Sequence, residues 1–302
     1  MLKTTFGALK EVIVAASPKA HEPTATEYFA LVSTVLASSA SSSSSSSSYT
    51  LDLLRILIGV VDGTSKTVLR AQFKPLSKTI LTTVIAQHQA SSDKNDIQLL
   101  QLALRAQGLL MRHQESSDGF WNSIECFQCI NSFLSFIDDS RTSIRKETHA
   151  QLNALMLTHR DSKANGTSSS VRSYIADFCS GVLDSCTRSN YNRALCVVLF
   201  LEHSALTCVP EQNVVQLIAN TIQKLPACEV PRLTSAAYRM LDAFFQSSNY
   251  MFKLDTTAAI INNLLLSKPV TSDMETNAFY WYAFYHNSSI QGPALLITHI
   301  RQ

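Results

Sequence analysis

Apolar residues along this chain return at helical spacing almost everywhere, and short polar breaks cut the pattern at regular intervals. Leu233, Ala236, Ala237, Met240, Leu241, Phe244 and Phe245 fall at i, i+3, i+4, i+7, i+8, i+11 and i+12, one face held over three turns. Val171, Tyr174, Ile175, Phe178 and Val182 repeat the pattern, and so do Val214, Leu217, Ile218 and Leu225. Ile97–Met111 (IQLLQLALRAQGLLM) and Arg193–Leu201 are instead apolar nearly all round, so they must be covered on several sides. Half-exposed helices alternating with enclosed ones are what a layered helical array requires. The breaks, among them Asp62–Ser65, Ser91–Asp96, Asp138–Ser140, Thr187–Asn190 and Pro226–Pro231, leave a helix pair about every 40 residues, the spacing of HEAT or armadillo repeats. The expected fold is therefore all-α, a HEAT/armadillo-like α-solenoid of stacked antiparallel helix pairs. A compact bundle of a dozen helices is the competing architecture.

Composition narrows the function. Eight Gly and eight Pro in 302 residues are too few for an all-β fold and for Gly-rich nucleotide loops, while 46% hydrophobic against 16% charged residues supplies a continuous core. A net charge of +2 excludes nucleic-acid binding by bulk charge, so any RNA contact has to come from a local stripe. The longest apolar run, ALCVVLFL at Ala194–Leu201, is far short of the roughly 18 residues that a membrane span needs. Lys10 and Glu11 interrupt the N-terminal stretch that would otherwise look like a signal peptide. A soluble protein of the nucleus or cytosol is expected, with its seven Cys as free thiols.

Residues 1–37 are expected to form the N-terminal helices of the array, and 38–48 (SSASSSSSSSS) a Ser-rich flexible linker. Two stretches of HEAT-like repeats, 49–158 and 171–302, are expected to flank a polar loop at 159–170 where the array bends, with the array truncated at its C-terminal end.

Charge is densest in DDSRTSIRKETHAQLNAL, Asp138–Leu155. No nucleophile sits in a G-x-S-x-G elbow, no Walker motif is present, the His residues are scattered singly, and Asp138–Asp139 stand where a helix start wants capping acceptors. No catalytic, cofactor-binding or metal residue is expected. Cys126-Phe-Gln-Cys129 is the only CxxC, lacks a second ligand pair at zinc spacing, and lies in an apolar helix, so both are read as core thiols. The aromatic run AFYWYAFY (Ala278–Tyr285) is read as core, with base stacking as the other use.

Two basic stripes stand out. Arg141, Arg145 and His149 share one helix face, as do Lys66, Arg70, Lys74 and Lys78, although Pro75 is expected to kink that helix or start a new one. Placed on the second helices of separate pairs, the stripes would line one face and track a phosphate backbone. Otherwise they are solvated helix faces, with Arg145 used structurally.

The Asp139-x-x-x-x-Ile144-Arg145 spacing resembles the second helix of a HEAT repeat. That resemblance implies a ladder in which Asp139, in the turn, and Arg145, in the helix, hydrogen-bond along the array. TEYFALVSTVLA (Thr26–Ala37), TSKTVLRAQF (Thr64–Phe73) and DDSRTSIRKETHAQL, together with the helix order from Val171 to Tyr285, resemble the N-terminal region of the ribosomal RNA-processing protein 12 family. The resemblance implies a nuclear and nucleolar α-solenoid without catalytic motif or cofactor. Its partners would be pre-ribosomal RNA, pre-ribosomal particle proteins and nuclear-transport factors, with no membrane and no small-molecule substrate. The expected function is a non-catalytic scaffold in ribosome biogenesis that associates with pre-ribosomal particles for pre-rRNA processing and subunit export. The alternative is a transport-receptor-like or general protein-interaction α-solenoid without RNA binding.

Overall fold

The computed structural model describes residues 2–16, 21–39, 47–114, 118–158, 168–202, 206–247, 260, 262–264, 266 and 274–289. Every regular element among the described residues is helical. The chain divides into two compact units, Met1–Ser162 and Lys163–Gln302.

In the first unit α1 (Leu2–Ala16) precedes three helix pairs: α2 (Ala25–Ser39) with α3 (Ser47–Val60), α4 (Lys66–Thr79) with α5 (Lys94–Arg112), and α6 (Ile124–Leu134) with α7 (Thr142–Thr158). The helix of α4 continues through a π turn at Ile80–Ile85 to His88. Helices α3, α5 and α7 pack side by side as one layer, and α2 lies beside α4 in the other. Because α5 touches α3, α4, α6 and α7, it is buried over most of its girth; Gln98 and Arg105 nevertheless stay exposed, so it is not enclosed on all sides, contrary to what its sequence suggests. Leu100, Ala103, Leu104 and Leu110 are fully buried there, each Leu contributing roughly 1.5–3 kcal/mol. Helix starts are capped locally. Thr24 and Glu27 form a reciprocal box ahead of α2, in which Glu27 Oε2 accepts from the Thr24 N–H (2.7 Å) and Thr24 Oγ1 from the Glu27 N–H (3.3 Å). Asp93 accepts from the Asn95 and Asp96 N–H groups at the start of α5, and Ser123 from Cys126 N–H at the start of α6.

The second unit holds α8 (Ser168–Asp184), α9 (Tyr191–Phe200), α10 (Glu211–Lys224), α11 (Pro231–Ser247) and α12 (Met274–Ser289). Here α8 packs on α10 and α9 on α11, so alternate helices again share a layer, and α11 also packs on α12. Side chains one repeat apart hydrogen-bond along the α8–α10 contact. Ser173 Oγ donates to Asn213 Oδ1 (3.2 Å), Asn213 Nδ2 to Asp177 Oδ1 (2.7 Å), and Asn220 Nδ2 to Ser180 Oγ (2.9 Å).

The all-α, HEAT-type fold class is as expected; several finer expectations are corrected. Pro75 does not restart its helix: it lies inside α4 at an exposed position. Helix takes both ends of the Ser run, since α2 reaches Ser39 and α3 begins at Ser47; residues 40–46 lie outside the described residues. Ser168–Ser170 already form the first turn of α8, and the rest of the polar loop, 159–167, with the bend assigned to it, lies outside the described residues. The aromatic run is divided. Tyr280 is buried edge-on against Tyr238 (5.3 Å) and donates to the Leu264 carbonyl (2.9 Å), whereas Trp281 and Tyr282 are exposed. Cys126 and Cys129 are core thiols, pushed up to about 12 and about 11 by burial.

Candidate nucleic-acid interface

The turn before α7 shows why the densest charge in the sequence is there. Arg141 reaches back with its whole guanidinium. Nε and Nη2 donate to the two oxygens of Asp139 (2.9 and 2.7 Å), Nη1 donates to the Ser91 carbonyl (2.7 Å), and Nη2 also to the Gln89 carbonyl (2.8 Å). Gln89 and Ser91 belong to the turn of the preceding pair, so one side chain ties two successive turns together. Burial alone would push the Asp139 carboxyl up; bonds from the Arg141 side chain and backbone N–H outweigh it and hold it below its ordinary value. Arg145 Nη1 donates to the Asp139 carbonyl (2.6 Å), and His149 Nε2 to the Ile137 carbonyl (2.9 Å).

This corrects the expected ladder. The carboxylate of Asp139 pairs with Arg141, and Arg145 takes the backbone oxygen of Asp139 instead. The bond between repeats therefore runs from Arg141 to main-chain carbonyls. Arg141, half-buried with its side chain 16% exposed, and Arg145, also half-buried, are spent on the turn. Arg141→Ala should lower stability by about 2 kcal/mol, through loss of charge-assisted bonds and a stranded, partly buried Asp139. Urea denaturation checks it, with Arg141→Lys restoring only a minor part.

The other stripe is differently placed. Lys66, Arg70, Lys74 and Lys78 are all exposed along α4, which is the first helix of its pair, whereas α7 is a second helix. The two stripes thus belong to different layers, contrary to the expectation that both ride on second helices. Lys74 forms an ion pair with Glu125 of α6. Among the sequence-predicted residues, Lys66, Arg70, Lys74 and Lys78 are the ones exposed along a single helix.

A third charged group was not anticipated. Glu147 of α7, only 5% exposed, accepts from Arg105 of α5 at Nε (3.0 Å) and Nη2 (2.6 Å), from Gln101 (3.3 Å) and from Gln151 (2.8 Å). On the other side of α5, Gln107 donates to Ser77 of α4 (2.8 Å) and to Cys129 of α6 (3.0 Å). The bonds from α5 to Glu147 and Cys129 tie its pair to the next, and the bond to Ser77 ties α5 to α4. Among the described residues no cluster of three or more His, Cys, Asp or Glu is placed to hold a metal ion, and no helix is long and apolar enough to cross a membrane.

Helix pairs in two layers, bonded to their neighbours one repeat along, define a HEAT-repeat protein. The family model described as RRP12-like, N-terminal HEAT repeats, matches residues 2–251, and the chain belongs to that family. No curated protein matches it.

Proposed function

We propose that the chain is a non-catalytic scaffold in ribosome biogenesis, associating in the nucleus and nucleolus with pre-ribosomal particles during pre-rRNA processing and subunit export. The observation that carries this reading is the family match over residues 2–251. Its partners on this reading are pre-ribosomal RNA, proteins of the particle and nuclear-transport factors, and it needs no cofactor. The exposed cations of α4 supply the surface for RNA: residues at i, i+4, i+8 and i+12 on one face can follow successive phosphates.

Sedimentation of the tagged protein from nuclear extract, with the associated RNA sequenced, tests the reading. Co-sedimentation with precursor-rRNA particles is expected, and sedimentation away from them overturns it. In vitro, affinity for single-stranded RNA should fall steeply with salt. Reversing Lys66 and Arg70 to Glu should flatten the slope of log K against log salt by about 1.4, two phosphate contacts at about 0.7 each. An unchanged slope would remove α4 from the RNA surface.

A further inference from the structure

An open groove of about 710 Å³ runs between α4 and α6 in the first unit, within the size range of clefts that hold ligands. Leu81 and Ala86 give it an apolar floor over the buried Ile85 and Phe136, and Lys74 and Lys78 line it one to two turns N-terminal to Leu81. The single acid among its lining residues, Glu125, is already paired with Lys74. The rim is therefore net positive, and Lys66 and Arg70 continue the charge along the same face. The Thr82 hydroxyl is turned onto the helix's own carbonyl at Lys78 (2.9 Å), and the Ser135 hydroxyl onto that of Ser132 (2.7 Å). A ligand meets the apolar floor, the lysines and the side-chain amides of Gln89 and Gln128. From Lys74 to Gln89 the helix measures about 22 Å, room for six or seven extended residues at roughly 3.3 Å each.

We propose that this groove docks an acidic, amphipathic peptide segment of a partner protein. Its apolar side chains rest on Leu81 and Ala86, and its carboxylates face Lys74 and Lys78. The charge complementarity selects the acids, and the apolar floor selects a peptide over RNA. Recognition of an unpaired base uses an exposed aromatic face, whereas the only aromatic lining residue, Phe136, is 2% exposed. The inference goes beyond the pre-ribosome reading and does not depend on it: a chain that failed to join those particles would still bind the peptide.

The test is selection of random dodecapeptides displayed on phage against the intact chain, followed by fluorescence anisotropy with a synthetic copy of the enriched sequence. Enriched peptides are expected to carry at least two Asp or Glu beside Leu, Ile, Phe or Trp. Lys78→Glu, and Ser132→Trp, which fills the groove from the α6 wall, should each weaken binding by about tenfold or more while helical circular dichroism stays at the wild-type level. Thr82→Trp fills the groove from the α4 wall and replaces Ser132→Trp should that variant not fold. Enrichment of peptides without acids, no enrichment over an unrelated helical protein, or variants that bind as the wild type does would overturn the proposal. So would displacement of the peptide by an oligouridylate whose own binding is lost in Ser132→Trp, which would give the groove to RNA.

Discussion

Arg105→Ala will destabilise the first unit by about 3 kcal/mol, an effect much larger than its position on a partly exposed helix face suggests. The cost falls on Glu147. With the guanidinium gone, a carboxylate that is 5% exposed keeps only the amide donors of Gln101 and Gln151. Stripping one partner from a buried ion pair typically costs about 3–5 kcal/mol. Arg105 itself is 44% exposed, so water reaches the site in the variant, which sets the expectation at the lower end. The effect has a pH signature. Burial by itself would raise the Glu147 carboxyl; bonds from Arg105 and Gln151 overcome that and hold it below its ordinary value of 4.5. Its contribution is therefore fully present above pH 4.5 and is lost as pH falls through the lower, folded value. In Arg105→Ala burial wins, and the carboxyl is protonated more readily in the folded chain than in the unfolded one. The deficit against wild type should then be largest at pH 7 and shrink below pH 4.5. Urea melts at pH 7 and at pH 3.5 measure this, with hydrogen exchange showing whether the α5 and α7 amides loosen together. A deficit of equal size at both values would show that Glu147 is not the residue responsible.

Gly108→Val should cost a similar amount, about 3 kcal/mol, for a steric reason. A Cβ at Gly108 would stand 3.0 Å from Gln151 Cδ and 3.1 Å from Gln151 Cβ, and in collision with Oε1. The glycine is there because α5 and α7 approach closely, and any side chain must push Gln151 off its bond to Glu147. Overpacking of this kind costs about 1–3 kcal/mol, and a β-branched residue on this surface takes the upper value. Gly108→Ala gains about 1 kcal/mol of helix propensity, which offsets part of its smaller clash. In the background of Gln151→Ala the Gly108→Ala change should become neutral or favourable. That coupling between the two sites is the decisive reading of the double-mutant cycle. Additive effects would mean that α5 and α7 do not meet at Gly108.

The helix pairs were legible because burial imposes a period on the sequence. Half-covered helices such as α11 show a stripe, and α5, with four neighbours, is covered over most of its girth but keeps an exposed strip at Gln98 and Arg105. The fate of the charges was not legible in the same way. Spacing places Arg141 and Arg145 one helical turn apart, but Arg141 stands in the turn just before α7; the partners of both, the carbonyls of Gln89, Ser91 and Asp139, carry no side-chain signature. The Arg105–Glu147 pair spans 42 residues, so finding it requires the register between neighbouring repeats. One signal was available. Glu147, Thr148 and Gln151 interrupt the face that carries Ile144, Leu152 and Leu155, and polar residues on a buried face need partners on the helix they meet. Pro75 left open whether the helix ends there, but the apolar period of Leu69, Phe73, Leu76 and Ile80 runs through it unbroken.

The π turn at Ile80–Ile85 sets the phase of everything after it. Each residue of an α-helix advances the chain by about 100°, so one residue extra in a turn rotates the remainder of α4 by that angle. Lys66, Arg70, Lys74 and Lys78 lie before the turn; Gln89 and Ser91, whose carbonyls Arg141 takes, lie after it. The helix thus carries two independent registers, one for the exposed basic face and one for the joint with the next pair. Charges on the first can drift in evolution without disturbing the second, and a single-residue deletion within Ile80–Ile85 would unhook the joint while leaving every lysine in place.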